Sequence, residues 1–133
     1  IVDISTLTGA CMVALGNHTA GVMTSGAQAA DTLLDASEAA GEDFWELPIT
    51  DEVREGLHSD IADVKSSGAR EGGAMLAAAF LQRFVTPGID WAHLDIAGTA
   101  MGAPKTEINQ SWGSGYGVRL LDRLVSEYYE ARK

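Results

Sequence analysis

Basic residues are scarce in this chain. Nine Lys and Arg stand against 19 Asp and Glu, a formal charge of −10. Affinity for a phosphate backbone comes mainly from Lys and Arg, so nucleic-acid binding is excluded as the expected role. An anionic membrane surface is excluded on the same ground. Cysteine is nearly absent: Cys11 stands alone, which rules out an internal disulfide and fits a reducing, cytoplasmic setting. No charged segment leads into an apolar one as a secretory leader would. The longest apolar run, Ala74 to Leu81, falls far short of the ~20 residues of a membrane helix. The tryptophans Trp45, Trp91 and Trp112 have no basic residues interleaved, so they are expected to pack and not to stack on bases.

What is present alternates between strand-like and helix-like runs. The chain opens on "IVDISTLTGAC", a β-branched run ending in small polar residues and a glycine. Ile1 to Leu7 is expected as a strand, and Thr8 as the cap of a short helix from Gly9 to Leu15 that Gly16 ends. Thr19 to Ser25 reads as a second strand. From Ala27 to Ala40 the apolar positions 29, 33, 36 and 40 recur at helical spacing, with Gly41 at the stop. "FWELP" is expected to be a linker, because Pro48 lacks an amide donor.

Asp51 to His58 reads as an exposed helix, and the segment from Ser59 to Gly73 as a polar loop. Ala74 to Phe84 is a helix whose alanines suit close packing on a sheet. In "IDWAHLDIAG", Trp91, His93 and Asp95 point one way and Ala92, Leu94 and Ile96 the other. Ala97 to Gly115 is expected as a long irregular loop. Val118 to Tyr128 closes the chain as an amphipathic helix, with Val118, Leu121, Val125 and Tyr128 on one face. No repeat or low-complexity tract interrupts this order. The expected fold class is α/β: a three-layer αβα arrangement, a mostly parallel sheet, and about three strands forming part of a domain.

In open α/β sheets, ligands bind beyond the carboxyl ends of the strands. Thr6-Leu7-Thr8-Gly9 and Ala97-Gly98-Thr99-Ala100-Met101 both follow strands and are small and glycine-bearing. They suit a wall where main-chain groups meet a ligand; ordinary tight turns would have the same composition. Other combinations carry less. "GSGYG" from Gly113 lacks both a preceding strand and the G-x-G-x-x-G order of a phosphate loop, and reads as a turn leading into a helix. His58, Asp60 and Asp63, with His93 and Asp95, are metal-type ligands without a dense ligand spacing. His93 and Asp95 are expected instead to hold their strand in place. Cys11 reads as a core thiol, and Ser5 and Ser114 lie in no nucleophile elbow. These residues by themselves describe a pocket wall with no catalytic residue and no metal ligand.

Six segments, in order, resemble the leucine aminopeptidase (cytosol aminopeptidase) family. "VDISTLTGACMVALG" is similar to its D-x-x-T-L-T-G-A-x-x-x-A-L-G segment. "WELP", "SDIAD", "GGAMLAAAFLQRFV", "WAHLDIAG" and "SGYGVRLL" follow in the family's sequence. The resemblance implies that residues 1–133 are the C-terminal portion of the catalytic domain, with the N-terminal domain and the metal-ligand region absent. It implies that the parent hydrolyses the N-terminal residue from peptides at two divalent ions, manganese or zinc, in a homohexamer. In the family, an Asn-Thr-Asp-Ala-Glu-Gly-Arg signature ahead of this segment supplies two carboxylate ligands and an arginine. A lysine, two aspartates and a second lysine lie earlier still. No metal is therefore expected in this chain, and no activity from it alone.

What carries over is substrate contact. Thr6, Gly9, Ala97 and Ala100 match positions lining the pocket for the substrate's first side chain. The backbone of Leu7 and Gly9 matches groups that hydrogen-bond the peptide. Ser67 stands where isoleucine commonly helps form the apolar pocket, with Ser66 in place of asparagine; Gly113-Ser114-Gly115 replaces Ala-Thr-Gly. The contrasting expectation, from another class, is a non-catalytic α/β binding or assembly module that kept the pocket and lost the metals. An intact upstream signature would separate the two.

Overall fold

The computed structural model describes residues 1–101, 105–107 and 109–130. Its elements in chain order are β1 (Val2–Ser5), α1 (Gly9–Leu15), β2 (Ala20–Thr24), α2 (Ala27–Ala40), β3 (Phe44–Glu46), α3 (Asp51–Glu55), α4 (Gly73–Gln82), β4 (Ala92–Asp95) and α5 (Val118–Leu124). A π-helical turn, Val125–Tyr129, continues α5. Part of the loop expected between Ala97 and Gly115 lies outside the described residues.

The four strands form one sheet in the order β1-β4-β2-β3. β1 runs parallel to β4, with Ser5 opposite Asp95, and β2 runs parallel to β3. The central pair β4 and β2 is antiparallel, with Gly21 opposite Asp95. The αβα expectation holds, but the sheet is mixed and has four strands where about three were expected. Helix length accounts for the directions. The 14 residues of α2 span about 21 Å at 1.5 Å per residue, enough to return the chain for a parallel strand. The 7 residues of α1 span about half that, so the chain re-enters near the end of the sheet where β1 finished and β2 runs back.

The "FWELP" segment is a strand at its start and not a linker. Phe44 is buried and packs on Tyr116 with ring centroids 5.5 Å apart. The amide of Ala20 donates to the Asp43 carbonyl at 2.9 Å, and the Leu47 amide to the Val22 carbonyl at 2.9 Å. These bonds zip β3 onto β2, and Pro48 follows where no further ladder donor is needed.

The two faces of the sheet carry separate cores. On one, Val22, Leu94, Ala92 and Phe44 pack against Leu33 of α2 and Leu120 of α5. On the other, Met23 and Trp91 pack against Ala78 of α4. Alternation along β4 supplies both faces, as its pattern implied. In α5 the buried residues are Leu120 and Leu124, whereas Val118, Val125 and Tyr128 are exposed. This corrects the expected apolar face, of which Leu121 alone packs against the core. The buried carboxylate of Glu42 accepts from the amides of Gly117 at 3.1 Å and Leu120 at 2.9 Å. Those two bonds set the rotation of α5 and turn Leu120 inward.

Candidate functional site

Because β1 and β4 are parallel and in register, the turns that follow them leave the sheet at the same end. Local chemistry shapes the first turn. Thr8 adopts extended geometry, and its hydroxyl accepts from the Cys11 amide at 3.0 Å, capping α1. Gly9 is the first residue of the helix, and a Cβ there would meet nothing within 4 Å. Its face is open.

Asp95 joins the two turns. It is completely buried. Its Oδ1 accepts from the amides of Leu7 at 3.2 Å and Ala97 at 3.1 Å, and its Oδ2 from the Thr8 hydroxyl at 2.7 Å. Thr6, Leu7, Gly9 and Ala97 are thereby held together at one end of β1 and β4. Beyond Ala97, the amide of Ala100 donates to the Ile96 carbonyl at 2.9 Å. The Ser114 hydroxyl donates to the carbonyl of Thr99 at 2.7 Å. "GSGYG" thus braces the second turn and leads into α5, with Gly117 as its N-cap.

A cavity of about 300 Å³ opens beside the first turn, lined by Leu7, Leu57, Ser66, Ser67, Leu76 and Phe80 among others. Ser67 and Leu7 therefore share a wall. Thr6, Gly9, Ala97 and Ala100 are not among its lining residues. The polar character that sequence reasoning placed on the turns is concentrated in Asp95, which it had assigned only a strand-holding part. An aspartate just before a strand-ending turn, able to accept from the amide two residues on, is the signal that could have found it.

His93 and Asp95 are both buried, but they serve different partners. His93 Nδ1 is hydrogen-bonded to Asp3, and Asp3 Oδ2 also accepts from the Trp91 indole at 2.7 Å. Trp91 and His93 stack nearly parallel, with centroids 6.4 Å apart. This cluster sews β1 to β4, as the strand-holding expectation required. The Cys11 thiol donates to the Asp95 carbonyl at 3.5 Å. Burial, and secondarily the Asp95 charge, push its pKa up to about 11. At neutral pH it is a core thiol.

The described residues do not fit a two-metal centre. Among them, no group of three or more His, Cys, Asp or Glu could hold a metal ion. Both oxygens of Asp95 are committed to donors of the two turns. His58 and Asp60 approach to 3.3 Å but are both exposed, and Asp63 lines a cleft with Arg54 and Arg83. Among the described residues, no helix is long and apolar enough to cross a membrane.

Comparison with known proteins agrees with this geometry. The sequence model of the cytosol aminopeptidase family, catalytic domain, matches residues 1–122. A "Probable cytosol aminopeptidase" of Cutibacterium acnes is 84% identical over 127 residues, 95% of this chain and 25% of that protein. Its namesake in Rhodopseudomonas palustris strain BisB18 is 59% identical over 99% of this chain and 26% of that protein. The chain thus spans about a quarter of the length of these relatives. Among solved structures, a mutant of tomato leucine aminopeptidase superposes with a TM-score of 0.85 and 38% identity, covering 94% of this chain and 24% of its own. The bottromycin maturation enzyme BotP in complex with Mn gives 0.85 and 42%, covering 93% of this chain and 28% of its own. A sequence matched to residue 122, close identity to these relatives and a superposable backbone agree: the chain belongs to the cytosol aminopeptidase family and carries part of its catalytic domain.

Proposed function

We propose that this chain is the substrate-contacting portion of a cytoplasmic metallo-aminopeptidase that removes the N-terminal residue from peptides. The full-length protein is a homohexamer that works with two divalent ions, manganese or zinc. Those ions are held by residues outside this chain, since the donor set described here does not suit them. The chain alone binds neither ion and hydrolyses nothing. Its contribution is a wall: Thr6, Gly9, Ala97 and Ala100 line the space for the first side chain. The Leu7 carbonyl and the Gly9 amide hydrogen-bond the peptide, and Ser67 borders the neighbouring apolar cavity.

The observation that carries this reading is the placement of both turns at one end of β1 and β4, with Gly9 facing open space. As first residue of α1, Gly9 has an amide outside the helix's own bonding pattern, and no acceptor among the described residues takes it. The absence of a side chain lets a peptide backbone approach it.

The test is Gly9→Val in the full-length protein, assayed with a leucyl anilide in the presence of manganese. Among the described residues no atom lies where a Cβ would go, so this part of the fold tolerates the first added carbon and the substrate does not. KM is expected to rise by about tenfold or more, the equivalent of about 1.4 kcal/mol of lost binding. An inactive wild-type protein, or an unchanged KM in the variant, would sink the assignment.

A further inference from the structure

We propose that Asp95 is a positioning residue for peptide binding, its buried carboxylate setting the Leu7 carbonyl and Gly9 amide at the orientation the substrate needs. This inference rests on the substrate contacts proposed above and names the residue that holds them in place.

Three donors converge on Asp95: the Leu7 amide, the Thr8 hydroxyl and the Ala97 amide. An ionised carboxylate is the side chain suited to this, because it accepts at both oxygens and donates nowhere. Two of the three bonds fall on either side of the Leu7 carbonyl, one at its own amide and one at the next side chain. They restrict both rotations of the Leu7 backbone. The third, from Ala97, fixes the same carboxylate to the second turn. Thr8 then relays the constraint. While donating to Asp95, its oxygen also accepts from the Cys11 amide at 3.0 Å, which orients the first turn of α1 and with it Gly9.

A fastener serving only the fold would not need this distribution. The backbone ladder already joins β1 to β4 from Val2 to Ser5, and the Asp3 cluster adds side-chain bonds across the same pair. The last bond of that ladder runs from the Ile96 amide to the Ser5 carbonyl at 2.9 Å. The Asp95 bonds lie beyond it and order the two turns themselves.

Replacing Asp95 by Asn keeps the shape but sets an NH2 group against one of three donors, leaving a hydrogen unpaired or a turn displaced. Replacing Thr8 by Val keeps the volume and deletes the relay. Replacing Thr8 by Ser keeps the hydroxyl.

The experiment uses the full-length protein with manganese, a leucyl anilide substrate, and thermal melts of every variant. Asp95→Asn is expected to raise KM by about tenfold with kcat within about threefold of wild type, matching the loss of a hydrogen bond to a charged group. Thr8→Val is expected to move KM in the same sense by a smaller factor, and Thr8→Ser to restore it. Wild-type KM in folded Asp95→Asn and Thr8→Val, with Gly9→Val impaired, would overturn the positioning role and leave the substrate contacts standing. Equal loss of kcat and stability in both variants with KM unchanged would make Asp95 a fold fastener and likewise overturn it. An inactive wild-type protein, or Gly9→Val with normal KM, would overturn the substrate contacts and this inference with them.

Discussion

Gly98 and Gly16 meet where the turn after β4 crosses the end of α1, and a Cβ on Gly98 would collide with the Gly16 carbonyl oxygen. Gly16 itself sits at φ 74°, in the left-handed region, and its amide donates to the Met12 carbonyl at 2.9 Å. Neither chain can move aside without pulling on a helix end or a strand end. Gly98→Ala is therefore expected to destabilise the full-length protein by about 1–3 kcal/mol, the usual cost of overpacking. Gly113→Ala is the control, since no atom of the described residues lies within 4 Å of its Cβ position. Denaturant melts of the two variants check this; equal stability of both would show that the crossing relaxes freely.

Much of the fold was legible because its signals are local. Thr8 as cap and Gly16 as stop give α1 its ends, and Gly41 at φ 64° ends α2 where the periodicity stops. What escaped depends on partners far away in sequence. β3 is 3 residues long, too short for a periodicity, and becomes a strand only by pairing with β2. The rotation of α5 is set by Glu42, 75 residues before the Gly117 amide it receives. Helical spacing alone offered a different stripe.

The candidate site divides the same way. Thr6, Leu7, Gly9, Ala97 and Ala100 were marked by small residues at strand ends and given roles by family resemblance. The bond from the Leu7 amide to Asp95 is not legible in that way, because the two residues are 88 positions apart. No window of sequence contains both. Only the parallel register of β1 and β4 brings them within bonding distance.

The cavity beside Leu7 is apolar on most sides, with Leu57, Leu76, Phe80 and Leu81 among its lining, but Ser66 and Ser67 line it too. Ser67 is exposed, so isoleucine there would add apolar wall without displacing a packed neighbour. In the full-length protein, Ser67→Ile is expected to raise kcat/KM for peptides with branched aliphatic side chains by roughly tenfold relative to small polar ones, the scale of added methylene contacts. Steady-state kinetics on a matched substrate pair measure the ratio. An unchanged ratio would place this cavity outside the substrate path.

Cys11 supplies a prediction in alkali. Its thiol is raised from 9.0 to about 11, first by burial and then by the nearby Asp95 charge. A group whose folded pKa lies above its unfolded one contributes stability fully present below pH 9, and that contribution is lost as pH rises through about 11. The reason is that the unfolded thiol ionises first, which draws the equilibrium toward the unfolded chain. Tyr116, pushed up to about 12 by burial and then by Asp43, acts in the same sense but at higher pH. Melting temperatures of wild type and Cys11→Ala should therefore be compared between pH 8 and pH 11. Cavity formation lowers the variant throughout, yet its curve is expected to fall less steeply above pH 9, because it has no thiol to ionise. Parallel curves would show that Cys11 titrates alike in both states. As an independent check, an alkylating reagent at pH 8 should label Cys11 only after denaturant is added, as peptide mass mapping would reveal; ready labelling of the native protein would contradict both the burial and the raised pKa.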